Sequence, residues 1–359
     1  MAKVKLTDIC KPKQWKTIPM DELLPNGFPV YGANGIIGYY NEFNHENSVI
    51  CITCRGATCG RVNMTAPKSY VTGNAMCLDD LRSDIDLEYL YYCLLHYDFT
   101  NVISGSAQPQ ITRQGLEKVV LIIGTPVEQK NVVKILKQAQ SVIQNREKEL
   151  QALDELIKSR FVEMFGDPET NPNGYPVRSM ADIATYWNGL TYKPEDVSEE
   201  GTIVLRSSNI QNMQLDFADT VRVSCKIGDK KYVQENDILM CSRNGSAKLV
   251  GKVALIKGIK EPMSFGAFMM IIRSDYYPYL MTYFQMPAFR SQIVTGATTT
   301  INQITGSMMD KVLVPVPDKI TIDNYATFVA QINKSKFAVQ KALDEAQLLF
   351  DSLMQKYFG

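Results

Sequence analysis

Histidine and tryptophan are nearly missing from this chain: two of each occur in 359 residues, and His45 and His96 both lie in the first half. A duplicated cysteine–histidine hydrolase is thereby excluded, because the second half has no histidine to serve as base. No apolar run approaches the roughly 18 residues of a membrane span. The opening Met1-Ala-Lys-Val-Lys-Leu-Thr-Asp lacks a continuous apolar stretch, so secretion is not expected and the chain is assigned to the cytoplasm. No Gly-x4-Gly-Lys-Ser/Thr loop is present to cradle ATP phosphates. Net charge is missing as well, since 38 Lys+Arg balance 38 Asp+Glu. Overall charge therefore cannot bring this chain to nucleic acid, and any such binding must come from local patches.

What is present describes an ordinary globular chain, 45% hydrophobic and 21% charged, of a length that suits about two domains and a connection. Eight cysteines without a secretory signal read as reduced thiols. Cys51-x2-Cys54-x4-Cys59 invites a zinc reading, but a closed site needs four ligands. Cys51 and Cys54 also lie in a strand-like run, where odd separation sends them to opposite faces. No metal is expected.

The chain repeats itself. Gln110-Ile111-Thr112 recurs as Gln303-Ile304-Thr305, a shift of 193. In the same register Lys118-Val119 meets Lys311-Val312, Leu150 meets Leu343, and Phe165-Gly166 meets Phe358-Gly359. Each copy has a globular front and a helical tail. The first tail opens at Thr125-Pro126-Val127-Glu128, where Thr caps, Pro suits the first helical position and Glu closes a capping box. It stops at Gly166-Asp167-Pro168. The stretch between is free of Gly and Pro and would span about 58 Å at 1.5 Å per residue.

Its apolar spacing is a heptad. The seam runs through Leu136, Ile143, Leu150, Leu153 and Ile157 in the first copy, and through Val329, Ile332, Val339, Leu343, Phe350 and Leu353 in the second. Arg146, Arg160 and Lys336 interrupt one seam where the other copy is apolar, a complement that suits pairing within one chain. Antiparallel pairing would put the two fronts at opposite ends. The expected fold class is α+β, with two mixed α/β fronts in a pseudo-twofold tandem repeat and two long helices pairing as an antiparallel coiled coil. The expected boundaries are 1–125, 126–166, 167–318 and 319–359. Val49–Cys54 and Asp237–Cys241 read as strands, Tyr89–His96 and Tyr276–Met286 as helices or helix starts.

Phe161-Val-Glu-Met-Phe-Gly-Asp-Pro-Glu-Thr-Asn-Pro-Asn-Gly-Tyr175 closely resembles the junction of type I restriction–modification specificity subunits. Thr125-Pro-Val-Glu-Gln-Lys130 resembles the start of that family's spacer helix. Gly27-Phe-Pro-Val-Tyr-Gly-Ala-Asn-Gly-Ile-Ile-Gly-Tyr39 resembles a common opening of its target-recognition domains. The resemblance runs over the whole chain, which starts almost directly in the first recognition domain and ends with the second helix. One departure is Asp318-Lys-Ile-Thr-Ile-Asp-Asn324, which lacks the proline and glutamine; Asp318 can still cap, with Thr321 in place of the reciprocal glutamate, and a methyltransferase contact that used this entry would be expected in the first copy only. The resemblance implies a subunit without chemistry of its own, whose two recognition domains read a bipartite site in double-stranded DNA while the helices fix the gap. It also implies two methyltransferase subunits and two motor–nuclease subunits as partners, with S-adenosylmethionine, ATP and Mg on those partners and no cofactor in this chain.

No segment is basic: 1–125 carries 11 Lys+Arg against 12 Asp+Glu, and 167–318 carries 15 against 16. Phosphate contacts need cations, and base edges need Arg, Lys, Asn or Gln. The best local candidates follow the paired strands: Arg55 and Arg61, then Arg243, Asn244, Lys248 and Lys252. Next come Gln108, Gln110, Thr112 and Arg113, with Thr299, Asn302, Gln303 and Thr305 as second-copy counterparts. Arg206, Asn209, Tyr31 and Asn34 are weaker candidates. The Gln-Ile-Thr triplet survives in both copies, whereas specificity must differ between them, so its nonmatching neighbours are the better specificity candidates. Asn171-Pro172-Asn173-Gly174 departs from the Asn-Pro-Pro-Tyr of adenine methyltransferases at its third and fourth residues, so methylation is assigned to a partner. Two alternatives stay open at this point, a non-catalytic coiled-coil scaffold for proteins and an enzyme using His96 with a cysteine.

Overall fold

The computed structural model describes residues 2–105, 108–293 and 303–359. Contacts group the chain into two compact units, residues 1–148 with 339–359, and residues 149–338. Each unit thus joins one front to portions of both long helices, a grouping that cuts across the four segments drawn from the sequence.

The two units share a framework of elements, with extra strands inserted in the second. Each opens with a strand, a one-turn helix and a second strand: Ala2–Lys5, Leu6–Ile9 and Lys11–Gln14, then Val177–Ser179, Met180–Ile183 and Thr185–Asn188. The opening strand pairs antiparallel with the strand just before the long helix, Val120–Ile123 or Leu313–Pro315. The second strand edges a four-stranded antiparallel sheet. Its order is Lys11–Gln14, Ala75–Asp79, Ile50–Thr53, Val62–Met64 in the first unit. In the second it is Thr185–Asn188, Met269–Arg273, Ile238–Cys241, Val253–Leu255. A further sheet in each unit holds one parallel pair, Phe28–Gly32 with Tyr70–Val71 and Thr202–Leu205 with Met263–Phe265.

Ile50–Thr53 and Ile238–Cys241 are buried at every residue, because both faces of their sheets are covered. Ile50, Ile52 and Cys54 face one core, and Cys51 faces another with Val49 and Cys77. Cys51 and Cys54 thus point into separate interiors and cannot share an ion. The helix Leu87–His96 begins at Asp86, whose carboxylate accepts from the Glu88 and Tyr89 amides at 3.0 Å each. The helix expected over Tyr276–Met286 is shorter, Tyr277–Tyr283, and a separate helix Pro287–Ile293 follows. Pro287 explains the break, since its ring lacks an amide proton and fits only a first helical turn.

The long helices are Pro126–Phe165 and Lys319–Phe358, 40 residues each. No helix of the described residues is long and apolar enough to cross a membrane. Their ends follow local chemistry. Thr125 N–H and hydroxyl donate to Glu128 Oε2 at 2.7 and 3.0 Å. Those bonds hold the Glu128 carboxyl below the usual carboxylate range. At the other end Gly166 has φ +74°, where an added Cβ would meet Pro172 Cγ at 2.4 Å. The second helix starts at Asp318, which accepts from Thr321 N at 2.9 Å and from its hydroxyl at 2.7 Å.

None of the eleven seam residues is exposed: Leu136, Ile157 and Val339 are buried, and the other eight are half-buried. In the first unit Leu136 shares a core with Met354, with Phe350 and Leu353 packed against it. In the second unit Ile157, Phe161 and Phe165 share a core with Ile322 and Tyr325. Early residues of one helix meet late residues of the other in both units, which makes the pairing antiparallel. Lys336 interrupts the seam at 6% exposure, and its ammonium meets Asp154 Oδ1 at 2.5 Å.

Candidate nucleic-acid interface

In each unit the central strand runs into a turn carrying an exposed arginine, Arg55 or Arg243. The backbone of that turn is held from two sides. Arg55 bridges Gln110 and Arg243 bridges Gln303 as isolated antiparallel pairs. Ile111 N donates to Cys54 O at 3.0 Å, and Ile304 N to Ser242 O at 2.7 Å. The repeated triplet is thus a scaffold. Its isoleucines are buried at 3% and 0% exposure. Its threonines cap one-turn helices, Thr112 accepting from Gly115 N at 3.1 Å and Thr305 from Met308 N at 3.2 Å. The Gln110 and Gln303 side chains remain exposed.

An amide side chain from the edge strand clamps the turn from the other side. In the first unit Gln14 Nε2 donates to Gly73 O at 2.9 Å and to Cys54 Sγ at 3.0 Å. In the second Asn188 Nδ2 donates to Ala267 O at 3.3 Å and to Ser242 Oγ at 3.0 Å. Sequence reasoning missed this clamp, because its partners are 59 residues apart in one unit and 79 in the other.

The second unit carries a groove of about 1060 Å³ beside this turn, lined by Tyr192, Arg206, Arg243, Asn244 and Phe268 among others. Phe268 is 60% exposed, and the Arg243 guanidinium lies 5.3 Å from its ring centroid. Phe268 was not a candidate from the sequence; the available signal was a second aromatic after Phe265-Gly266-Ala267, just before an apolar strand. Arg206 is half-buried and paired with Asp219 at 2.8 Å. Asn244 donates to Ser207 Oγ at 3.3 Å, and Lys252, half-buried, to Gln211 Oε1 at 3.3 Å.

Arg61, Gln108 and Lys248 are exposed. Arg113 is exposed beside Asp8, Lys11 and Glu117 in a separate depression of about 210 Å³, and is not grouped there with Arg55. Thr299 and Asn302 lie outside the described residues. Two of the weaker candidates are corrected. Tyr31 is 8% exposed and its hydroxyl accepts from Ala66 N at 3.0 Å. Asn209 is 1% exposed and its amide ties Arg206 N, Asp216 O and Asp219 O together at 2.8–2.9 Å. Both are spent on the fold. Asn34 is exposed in the hairpin turn between Phe28–Gly32 and Gly35–Tyr40.

Four of the buried thiols are poor nucleophiles. Burial pushes Cys10, Cys51 and Cys93 up to about 12 and Cys77 higher still. Cys93, one turn from His96, is therefore a neutral core thiol. His45, Cys77 and Asp79 lie close enough to suggest a metal. His45 Nε2, however, already meets Asp79 Oδ1 at 3.0 Å, and Trp15 Nε1 donates to Asp79 Oδ2 at 3.1 Å. At the strand position matching Asp79 the second unit has Arg273, paired in two-point fashion with Asp237 at 2.7 and 2.8 Å. The same place in the fold thus carries a direct side-chain hydrogen-bonded pair in both units.

Residues 1–155 match the family described as the type I restriction modification DNA specificity domain. The first part of the chain is similar to that domain. Among curated relatives, the specificity subunit of the StySPI type I restriction enzyme of Salmonella potsdam is 27% identical over 183 residues, 47% of this chain and 39% of the relative. The EcoKI specificity subunit of Escherichia coli K12 is 26% identical over 178 residues, 46% of this chain and 38% of the relative. The chain thus spans about two-fifths of the length of these relatives. The fold extends the likeness to the second half. A type I restriction–modification S subunit from M. genitalium superposes with a TM-score of 0.61 at 15% identity, covering 100% of this chain and 96% of that one. A chain solved in work on complex assembly and conformational transition of the type I R-M system gives 0.57 at 14% identity, covering 99% and 97%. The specificity-domain match takes in Arg55, Arg61 and Gln108–Arg113, whereas Arg206, Arg243 and the groove beside Phe268 lie beyond it.

Proposed function

We infer that this chain is the DNA sequence-specificity subunit of a type I restriction–modification complex in the cytoplasm. Each front reads one half of a bipartite duplex target, and the helices set the unread gap. The observation that supports this reading is the duplicated turn: two units sharing one framework, each presenting an arginine on a backbone clamped from both sides. Rigid placement is what base-edge recognition demands. A 40-residue helix spans about 60 Å, enough to separate half-sites by more than one DNA turn of about 34–36 Å. The balanced charge fits a subunit that shares phosphate contacts with partners rather than binding DNA alone. Chemistry belongs to those partners: two methyltransferase subunits using S-adenosylmethionine, and motor–nuclease subunits using ATP and Mg where restriction occurs.

Balanced charge also suits a second reading, a scaffold whose fronts bind protein. Co-expression with a type I methyltransferase subunit from the same source, followed by mapping N6-methyladenine over host DNA, separates the two. A split motif with a fixed gap, lost when this chain is omitted, is the expected result. An active methyltransferase whose motif does not depend on this chain would refute the specificity role. Arg55→Ala with Arg243→Ala is expected to abolish cognate binding while leaving partner pull-down intact.

A further inference from the structure

Two units of one fold that read different bases must differ at a position that solvent reaches and that is rigid and equivalent in both. Hydrogen-bond register identifies such a position without any appeal to the arginines. Cys54 N donates to Asn74 O at 3.0 Å, and Ser242 N donates to Phe268 O at 2.9 Å. Cys54 and Ser242 are the same position, since each is held by the amide clamp of Gln14 or Asn188. The residues before Asn74 and Phe268, Gly73 and Ala267, accept from those same amides. Asn74 and Phe268 therefore occupy the same place, one residue past the clamped carbonyl and directly ahead of the strands Ala75–Asp79 and Met269–Arg273.

The backbone at Phe268 is fixed more firmly than an ordinary loop. Its carbonyl accepts from Ser242 N at 2.9 Å, Arg243 N at 3.1 Å and Ser242 Oγ at 3.0 Å. The ring nevertheless stands 60% exposed in the wall of the groove that Arg243 and Asn244 also line. An aromatic held rigidly in water, with a guanidinium against one face, is an arrangement suited to a ligand having both an apolar edge and negative charge. Duplex DNA offers both, in the thymine methyl of the major groove and the flanking phosphates. In the first unit the same place carries Asn74, half-buried rather than exposed, whose side-chain amide makes no hydrogen bond among the described residues. Asparagine pairs with the N6/N7 edge of adenine.

We propose that Phe268 and Asn74 are the matched specificity positions of the two units, Phe268 contacting a thymine methyl in one half-site and Asn74 an adenine edge in the other. The inference rests on the DNA-specificity reading above. Its test uses the full chain in complex with its methyltransferase subunit and maps the methylated motif for wild type, Phe268→Ala, Phe268→Leu and Asn74→Ala. With a wild-type split motif in hand, Phe268→Ala is expected to relax one thymine position in a single half-site, with discrimination falling on the order of tenfold. Phe268→Leu, which keeps an apolar contact, retains most of it. Asn74→Ala is expected to relax one adenine position in the other half-site only. An unchanged motif in Phe268→Ala and Asn74→Ala overturns the inference and leaves the specificity reading standing. Methylation that does not depend on this chain overturns both. Phe268 is largely exposed, so thermal unfolding of its variants should match wild type, which separates loss of reading from loss of fold.

Discussion

Gln129 lies at the start of the first long helix, in the stretch that resembles a family's spacer-helix opening, yet it is 1% exposed. Its Oε1 accepts from Asp86 N at 2.7 Å, and its Nε2 donates to Asp84 O at 3.1 Å and Gly124 O at 2.9 Å. All three partners are backbone groups of the same unit, so this amide stitches the helix start to the segment that caps Leu87–His96. The register position 193 residues on is Ile322, 0% exposed and packed in a hydrophobic core. Gln129→Leu imports the second unit's chemistry into the first. Shape and volume are nearly kept, but one amide and two carbonyls lose their partner. A net hydrogen bond is worth about 1 kcal/mol, and a buried donor left unpaired costs about 1–3 kcal/mol. The carbonyls keep other lone pairs, so the expected loss is about 2–4 kcal/mol. Urea unfolding measures it, with Trp15 as reporter in a Trp187→Phe background, since the two tryptophans fall one to each unit. A loss below about 1 kcal/mol would refute the stitch. Intact stability with a lost methyltransferase pull-down would show instead that the glutamine faces the partner.

Asp154→Ala strands the nearly buried Lys336 ammonium and is expected to cost about 1–3 kcal/mol, discounted because Asp154 is 37% exposed. Lys336→Met should be neutral or stabilising in the same urea assay, and a Lys336→Met chain weaker than Asp154→Ala would contradict the account of the pair. Hydrogen bonds from Thr321 and Thr125 hold Asp318 and Glu128 below the usual carboxylate range. Folded values below the unfolded ones mean that their stabilisation is complete above the ordinary carboxylate value and disappears as pH falls through the depressed one. Thermal midpoints scanned downward from pH 5 should therefore fall less steeply in Asp318→Asn than in wild type. Phe161→Ala empties the centre of a cluster in which Phe165, Tyr279 and Tyr325 rings lie 4.9–5.6 Å from it, and is expected to cost about 3–5 kcal/mol. A smaller loss in calorimetry would mean that the cluster collapses into the space.

The two kinds of residue in this chain were unequally legible, for a physical reason. Helix ends are decided within four or five residues, so Thr125, Glu128, Gly166 and Asp318 could be read directly. The seam could be read because a period of seven is visible without knowing the partner. Clamps such as Gln14 on Gly73 and Asn188 on Ala267 join residues 59 and 79 apart, and their meaning exists only after the sheet has formed. The same holds for Tyr31, whose hydroxyl is taken by Ala66 N 35 residues away; Asn209 is consumed nearer by, by backbone groups 3, 7 and 10 residues away whose placement depends on the turn they form. What the copies share tends to be structural: Gln-Ile-Thr holds the turn, and the amide clamp holds it again. What the copies do not share is free to differ because the surroundings already fix the backbone. A phenyl ring replaces a carboxamide at one clamped position without altering the strand that follows. A duplicated domain can change what it reads without changing how it folds only if its variable side chains stand where its invariant ones have already done the positioning. Asn74 and Phe268 meet that condition, and the Gln-Ile-Thr threonines, spent as helix caps, do not.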